Sequence, residues 1–109
     1  MKDNVVKDKS LECAVRIVNL YKFLVNEQKE FVMSKQILRS GTSIGANIRE
    51  AEQAQSRADF INKLNIALKE ANETEYWLEL LIRTEYITRE QYESINNCLL
   101  YTSPSPRDA

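Results

Sequence analysis

Apolar residues recur at helical spacing along four stretches of this chain, with polar breaks between them. Over residues 10–27, Leu11, Ala14, Val18, Tyr21 and Val25 form one stripe, and Cys13, Ile17, Leu20 and Leu24 form a second beside it. Ser10 is placed to cap this first helix. Two stripes cover more of a helix than one core contact requires, so the surplus predicts either a wide four-helix core or a subunit interface. The polar run "NEQKE" at 26–30 closes the segment. The second predicted helix, 31–54, lines one face with Met33, Ile37, Gly41, Ile44, Ile48 and Ala51, in part at heptad spacing. The third, 57–84, opens on Ser56 and Asp59 in capping-box positions and carries Phe60, Leu64, Ala67, Ala71, Thr74, Leu78 and Leu81. Thr88 and Gln91 form another capping box, opening a fourth helix over 88–97 with Tyr92 and Ile95 as its apolar positions. Strand-like alternation is absent, and the first proline is Pro104. The pattern predicts an all-α fold: a single domain over 1–97, an antiparallel up-down-up-down four-helix bundle whose fourth helix is truncated.

The chain has two glycines, Gly41 and Gly45, and both fall inside the second helix in "RSGTSIGANIREA". A phosphate loop is excluded, since the spacing is wrong, no lysine follows Gly45 and no strand precedes. A membrane G-x-x-x-G contact is excluded by Arg39, Arg49 and Glu50 around it. Each interior glycine costs about 1 kcal/mol against alanine. Two readings remain: a close-packed seam of Gly41, Ile44, Gly45, Asn47 and Ile48, with a bulky neighbour such as Trp77 or Phe60 over the glycines, or a local break at 41–43. Asn47, beside the apolar stripe, is expected to satisfy a nearby backbone group, with ligand or register recognition as the alternative.

Composition narrows the chemistry. There is no histidine, which removes imidazole-based metal sites and His-dependent nucleophile pairs. Cys13 and Cys98 have no metal-ligand spacing, and a disulfide is not expected in a cytoplasmic chain. No apolar run is long enough to span a membrane, and the N-terminus lacks a signal-like apolar core, so a cytoplasmic location is expected. Net charge is −1 but unevenly spread. Residues 1–49 hold nine Lys/Arg against five Asp/Glu, and residues 50–97 hold five against ten. That polarity suits either helix attraction within a bundle or oligomer, or contact of the basic half with nucleic acid.

The last stretch, "CLLYTSPSPRDA" at 98–109, departs from the helical pattern. Its first eleven residues resemble the translation of a transposon-end sequencing adapter. That resemblance implies that the natural chain continues differently after Asn97, that Cys98 is not native, and that the fourth helix has lost its second half.

The segments "SKQILRSGTSIGANIREA" and "DFINKLNIALKEANETEYWLELL", on adjacent helices, resemble the bacterial four-helix bundle family related to the 23S rRNA intervening-sequence protein. The resemblance covers residues 8–97. It implies an antiparallel bundle and a ring-like homo-oligomer, with a pentamer as the expected state. It also relates the chain to the accessory protein of diversity-generating retroelements, which partners a reverse transcriptase and binds nucleic acid through basic residues.

The leading expectation is a non-enzymatic, homo-oligomeric scaffold with RNA or a nucleoprotein as candidate partner. Arg16, Lys22, Lys35 and Arg39 are the candidate nucleic-acid contacts, Lys35 and Arg39 sharing a helix face at i,i+4. The alternative is a protein-only adaptor whose acidic third helix, with Glu70, Glu73, Glu75 and Glu79, docks a basic partner such as a reverse transcriptase. Those carboxylates lie off the apolar stripe and are expected to face solvent. No cofactor, metal, small-molecule substrate or membrane partner is implied.

Overall fold

Four helices form where the periodicity places them, with shifted ends. The computed structural model describes residues 2–102, with α1 at Lys2–Asn26, α2 at Met33–Glu52, α3 at Arg57–Arg83 and α4 at Arg89–Thr102. Helix α1 begins well before Ser10, because nothing in residues 2–9 breaks a helix. Ser10 is therefore not a cap: its hydroxyl is buried inside the helix and donates to the Lys7 carbonyl at 2.9 Å.

Helix ends follow local hydrogen-bond supply. Ser56 accepts from the Asp59 amide at 3.0 Å, as its capping position predicts. Thr88 and Gln91 complete a reciprocal capping box, with Thr88 N donating to Gln91 Oε1 at 2.8 Å and Gln91 N to Thr88 Oγ1 at 3.1 Å. Two residues adopt the left-handed conformation that turns a chain out of a helix, Lys29 after α1 and Glu85 after α3. Glycine usually fills that role, but both glycines of this chain are inside α2.

The helices run antiparallel, as cross-helix pairs show. Gly41 and Gly45 of α2 face Ile17 and Ser10 of α1. Arg39 and Glu50 of α2 pair with Glu73 and Lys63 of α3. Arg16 and Lys9 of α1 meet Ser94 and Tyr101 of α4. In each case one number rises as the other falls. Helix α1 packs on α2 and α4, and α3 packs on α2 and α4, so the bundle is a four-sided ring of helices. The core holds Ile17, Leu24, Ile37, Leu78, Leu81 and Leu99 at full burial.

Helix α4 does not stop at Asn97. It continues to Thr102 and places Cys98, Leu99 and Thr102 in the core with Ile95, at the i, i+3, i+4, i+7 spacing of a buried face. Cys98 is joined to Cys13 of α1 by a disulfide, against the expectation of free thiols. The two positions face each other across the α1–α4 contact with Cα atoms 5.4 Å apart, a relation that spacing in sequence does not reveal. The helix concerns packing and has no bearing on the adapter resemblance, which concerns where these residues came from. Pro104 and Pro106 lie outside the described residues.

Candidate interaction surface

The predicted seam is one contact, and its two glycines differ. Helix α2 is unbroken through 41–43 and neither glycine has a positive φ, so the local break is ruled out. Gly41 is buried, and a Cβ there would stand 2.8–2.9 Å from the Ile17 side chain. Ile17 has zero exposure, so it has no room to yield. The bulky neighbour is therefore Ile17 of α1, in place of Trp77 or Phe60: the glycine lets α1 and α2 approach, and α3 is on the other flank. Ile44 and Ile48 are buried beside it. Asn47 is half-buried and donates to the Ser43 carbonyl at 2.9 Å, the local backbone partner expected of it.

Gly45 is only half-buried. A Cβ there would meet Ser10 Oγ at 3.4 Å and the Ser10 backbone at 3.6–3.7 Å, which is ordinary contact distance. It floors a surface groove between α1 and α2 lined by Leu11, Ala14, Thr42, Ala46 and Arg49.

The two stripes of α1 divide between core and surface. Cys13, Ile17, Leu20 and Leu24 are the core stripe, all below one-tenth exposed. The other stripe faces outward: Leu11 is 54% exposed, Val15 beside it is 52% exposed, and Ala14, Val18, Tyr21 and Val25 are half-buried. The surplus apolar surface seen in the sequence is thus only partly covered within the four-helix bundle.

The four candidate nucleic-acid contacts separate into two kinds. Arg16 donates to the Ser94 carbonyl of α4 at 3.1 Å and pairs with Glu12 at 3.2 Å. Arg39 bridges to α3, pairing with Glu70 at 3.5 Å and more closely with Glu73. Trp77 Nε1 donates to the same Glu73 carboxylate at 3.1 Å. Glu73 is held below the ordinary carboxylate range, first by the Trp77 N–H and then by the Arg39 hydrogen bond. Arg39 is raised above an already high value, chiefly by its hydrogen bond to Glu73. Both arginines therefore serve the bundle. Lys22 and Lys35 are exposed and make no ion pair among the described residues. They stand at about the same level on adjacent helices, as the α1–α2 register places them. On α3, Glu70 and Glu73 are turned toward Arg39 and partly covered, a departure from the fully solvated face expected, while Glu75 is exposed.

One structural group went unread in the sequence. Glu30, within the polar break, is 8% exposed, and its carboxylate accepts from the amides of Val32, Met33 and Ser34 at 3.2, 2.9 and 2.7 Å. It satisfies the first amides of α2 and complements the helix dipole. The residue at the cap position proper, Val32, has no side-chain oxygen to do so. A cap reaching in from outside the helix has no short motif, which is why spacing rules pass over it. Among the described residues no group of three or more His, Cys, Asp or Glu is placed to hold a metal ion, and no helix is long and apolar enough to cross a membrane.

Over residues 2–103 the sequence matches the profile of the 23S rRNA-intervening sequence protein family. The chain belongs to that family. A family member of known structure is similar to it throughout: a protein of unknown function from the S23 ribosomal protein family of Bacteroides thetaiotaomicron VPI-5482, whose crystal structure was determined at 1.70 Å. The two are 93% identical over 94% of this chain and 92% of that one, with a TM-score of 0.92. No curated protein sequence matches. Family membership agrees with the four-helix architecture and assigns no reaction to it.

Proposed function

We propose that this protein is a non-enzymatic, homo-oligomeric helical scaffold. The observation that carries this reading is the outer side of α1, where Leu11 of the outer stripe and its neighbour Val15 are each more than half exposed while the adjacent stripe already fills the core. A contiguous apolar face on a small bundle marks an interaction surface. A closed ring of copies, with five as the number implied by the family resemblance, covers that face without leaving an edge.

The RNA-binding component of the expectation has narrower support. Arg16 and Arg39 are engaged within the bundle, which leaves Lys22 and Lys35 as the exposed pair. Two phosphate contacts give a weak, strongly salt-sensitive affinity.

Light scattering on the purified chain tests the scaffold. An assembly larger than one chain is expected, together with its loss in Leu11→Glu/Val15→Glu at unchanged helical content. An unchanged mass in that variant would overturn the reading. A gel shift with structured RNA at low salt, abolished in Lys22→Ala/Lys35→Ala, would add an RNA partner. No shift under those conditions favours the protein-only alternative, in which the acidic α3 face with Glu75 receives a basic partner such as a reverse transcriptase.

A further inference from the structure

We infer that the outer face of α3 is a track for single-stranded RNA, with Tyr76 as a stacking platform and Asn62, Asn65, Lys69 and Asn72 as its polar contacts. This rests on the RNA component of the reading above and moves the principal contact from Lys22 and Lys35 to a different helix.

Helical spacing gathers the five residues. At about 100° per residue, positions 62, 65, 69, 72 and 76 fall within about 80° of one another and span about 21 Å of helix axis. All five are exposed. Helix α3 packs on α2 and α4 and lies diagonally across the bundle from α1, so this face points away from the outer stripe of α1.

Folding does not account for the asparagines. They lie inside a 27-residue helix, where asparagine is a poor helix former because its amide competes for backbone groups. Asn47 of α2 at least donates to the Ser43 carbonyl. Asn62, Asn65 and Asn72 make no side-chain hydrogen bond among the described residues. Each free amide offers a donor beside an acceptor, the pairing that matches the edges of unpaired bases.

Tyr76 supplies the second component. Its ring meets Trp77 edge-on, with centroids 5.0 Å apart and planes at 74°. Trp77 is fixed in turn by its N–H to Glu73, which is paired with Arg39. Tyr76 is thus held against the bundle while remaining 59% exposed. An ordered, open aromatic ring is what a splayed base stacks on.

Charge on the stripe permits a phosphate backbone. Lys69 is exposed and in no ion pair among the described residues, as is Arg57 at the start of the helix. The carboxylates of α3 lie to the sides or are paired. Glu70 and Glu73 are turned to Arg39, and Glu79 pairs with Arg83. Glu75 is on the row of Glu79, which borders α4 beside Arg89 and Tyr92. Asp59 is half-buried in the first turn. The stripe itself therefore carries one cation and no carboxylate, so stacking and amide contacts contribute more than charge. A duplex keeps its bases stacked away from such a face, and a single strand does not.

Fluorescence anisotropy at low salt, with a labelled, short, unstructured RNA, tests this. Tyr76→Ala is expected to weaken binding about 10-fold or more. Asn62→Ala/Asn65→Ala/Asn72→Ala is expected to weaken it to a similar degree while raising the melting temperature, because alanine is the better helix former. Lys69→Gln is expected to flatten the dependence of log K on log salt by about 0.7. Lys22→Ala/Lys35→Ala is expected to bind as the wild type does, and the same RNA annealed into a duplex to bind more weakly. Wild-type binding that Tyr76→Ala and the asparagine variant leave intact would overturn the inference and spare the RNA reading. Equal binding of the duplex would overturn it, as would a lower melting temperature or a smaller assembly in the asparagine variant, which would assign the amides to the fold or to a contact with another copy. A wild-type chain that binds no RNA at low salt would overturn the RNA reading itself, and the inference with it.

Discussion

Gly41 and Gly45 look equivalent in the sequence and are used in opposite ways. Gly41→Leu is expected to destabilise the bundle by about 1–3 kcal/mol or more, since Ile17 occupies the space that any side chain would need. Gly45→Ala is expected to raise the stability of the isolated chain by up to about 1 kcal/mol, because the new Cβ meets Ser10 at ordinary distance and the helix gains. Urea denaturation of both variants, at a concentration where the chain is monomeric, checks the pair. Equal effects would show that the seam is not divided as described. Glu30 offers a second test of this kind. Glu30→Ala leaves three amides at the start of α2 without their acceptor and is expected to cost about 1–2 kcal/mol by the same measurement.

The α2–α3 pair is joined across its outer edge by Arg39, Glu73 and Trp77, and below it by the buried hydroxyls of Ser40 and Thr74, 2.9 Å apart. The outer contact has a pH signature. A carboxyl depressed on folding stabilises the fold above its unfolded pKa, and that contribution is lost as pH falls through the folded value. Glu73 is depressed, so acidification through and below the ordinary carboxylate range removes its share. Arg39 stays charged throughout, being shifted upward from a value already far above neutrality. The stability difference between the wild type and Glu73→Gln is therefore expected at neutral pH and absent in strong acid. A difference that persists unchanged in acid would contradict the ion-pair account. Both groups are largely solvent-screened, so the effect is small at high salt.

Taken as one body, the bundle is unevenly secured. Helix α4 has 14 residues against 27 in α3, so it covers only part of the faces it packs on. Val6 is 40% exposed, on the stretch of α1 beyond the level that Thr102 reaches. The Cys13–Cys98 bond is what ties α4 most firmly to α1, with Arg16 to Ser94 as a polar addition. With the disulfide reduced, hydrogen exchange is expected to be fastest in α4, with α2 and α3 retaining protection. Uniform exchange across the four helices would show that α4 is held as firmly as the rest without the bond.

Much of this was legible in the residues. Helix number, the α3 and α4 caps, the Gly41 seam and the local role of Asn47 all follow from short-range periodicity and hydrogen-bond chemistry. These act over three or four residues and so leave a trace in sequence order. The surplus stripe of α1 was visible too, but the sequence left open whether the core or a partner consumed it, and the bundle covers it only in part, leaving Leu11 exposed. Only the tertiary structure could decide the rest. It paired Gly41 with Ile17, Arg39 with Glu73 and Cys13 with Cys98, and it bent Glu30 back onto α2. It also engaged two of the four candidate cations, Arg16 and Arg39, in contacts within the bundle. Those outcomes depend on which helix faces approach each other and at what level, a long-range register set by packing the whole core at once.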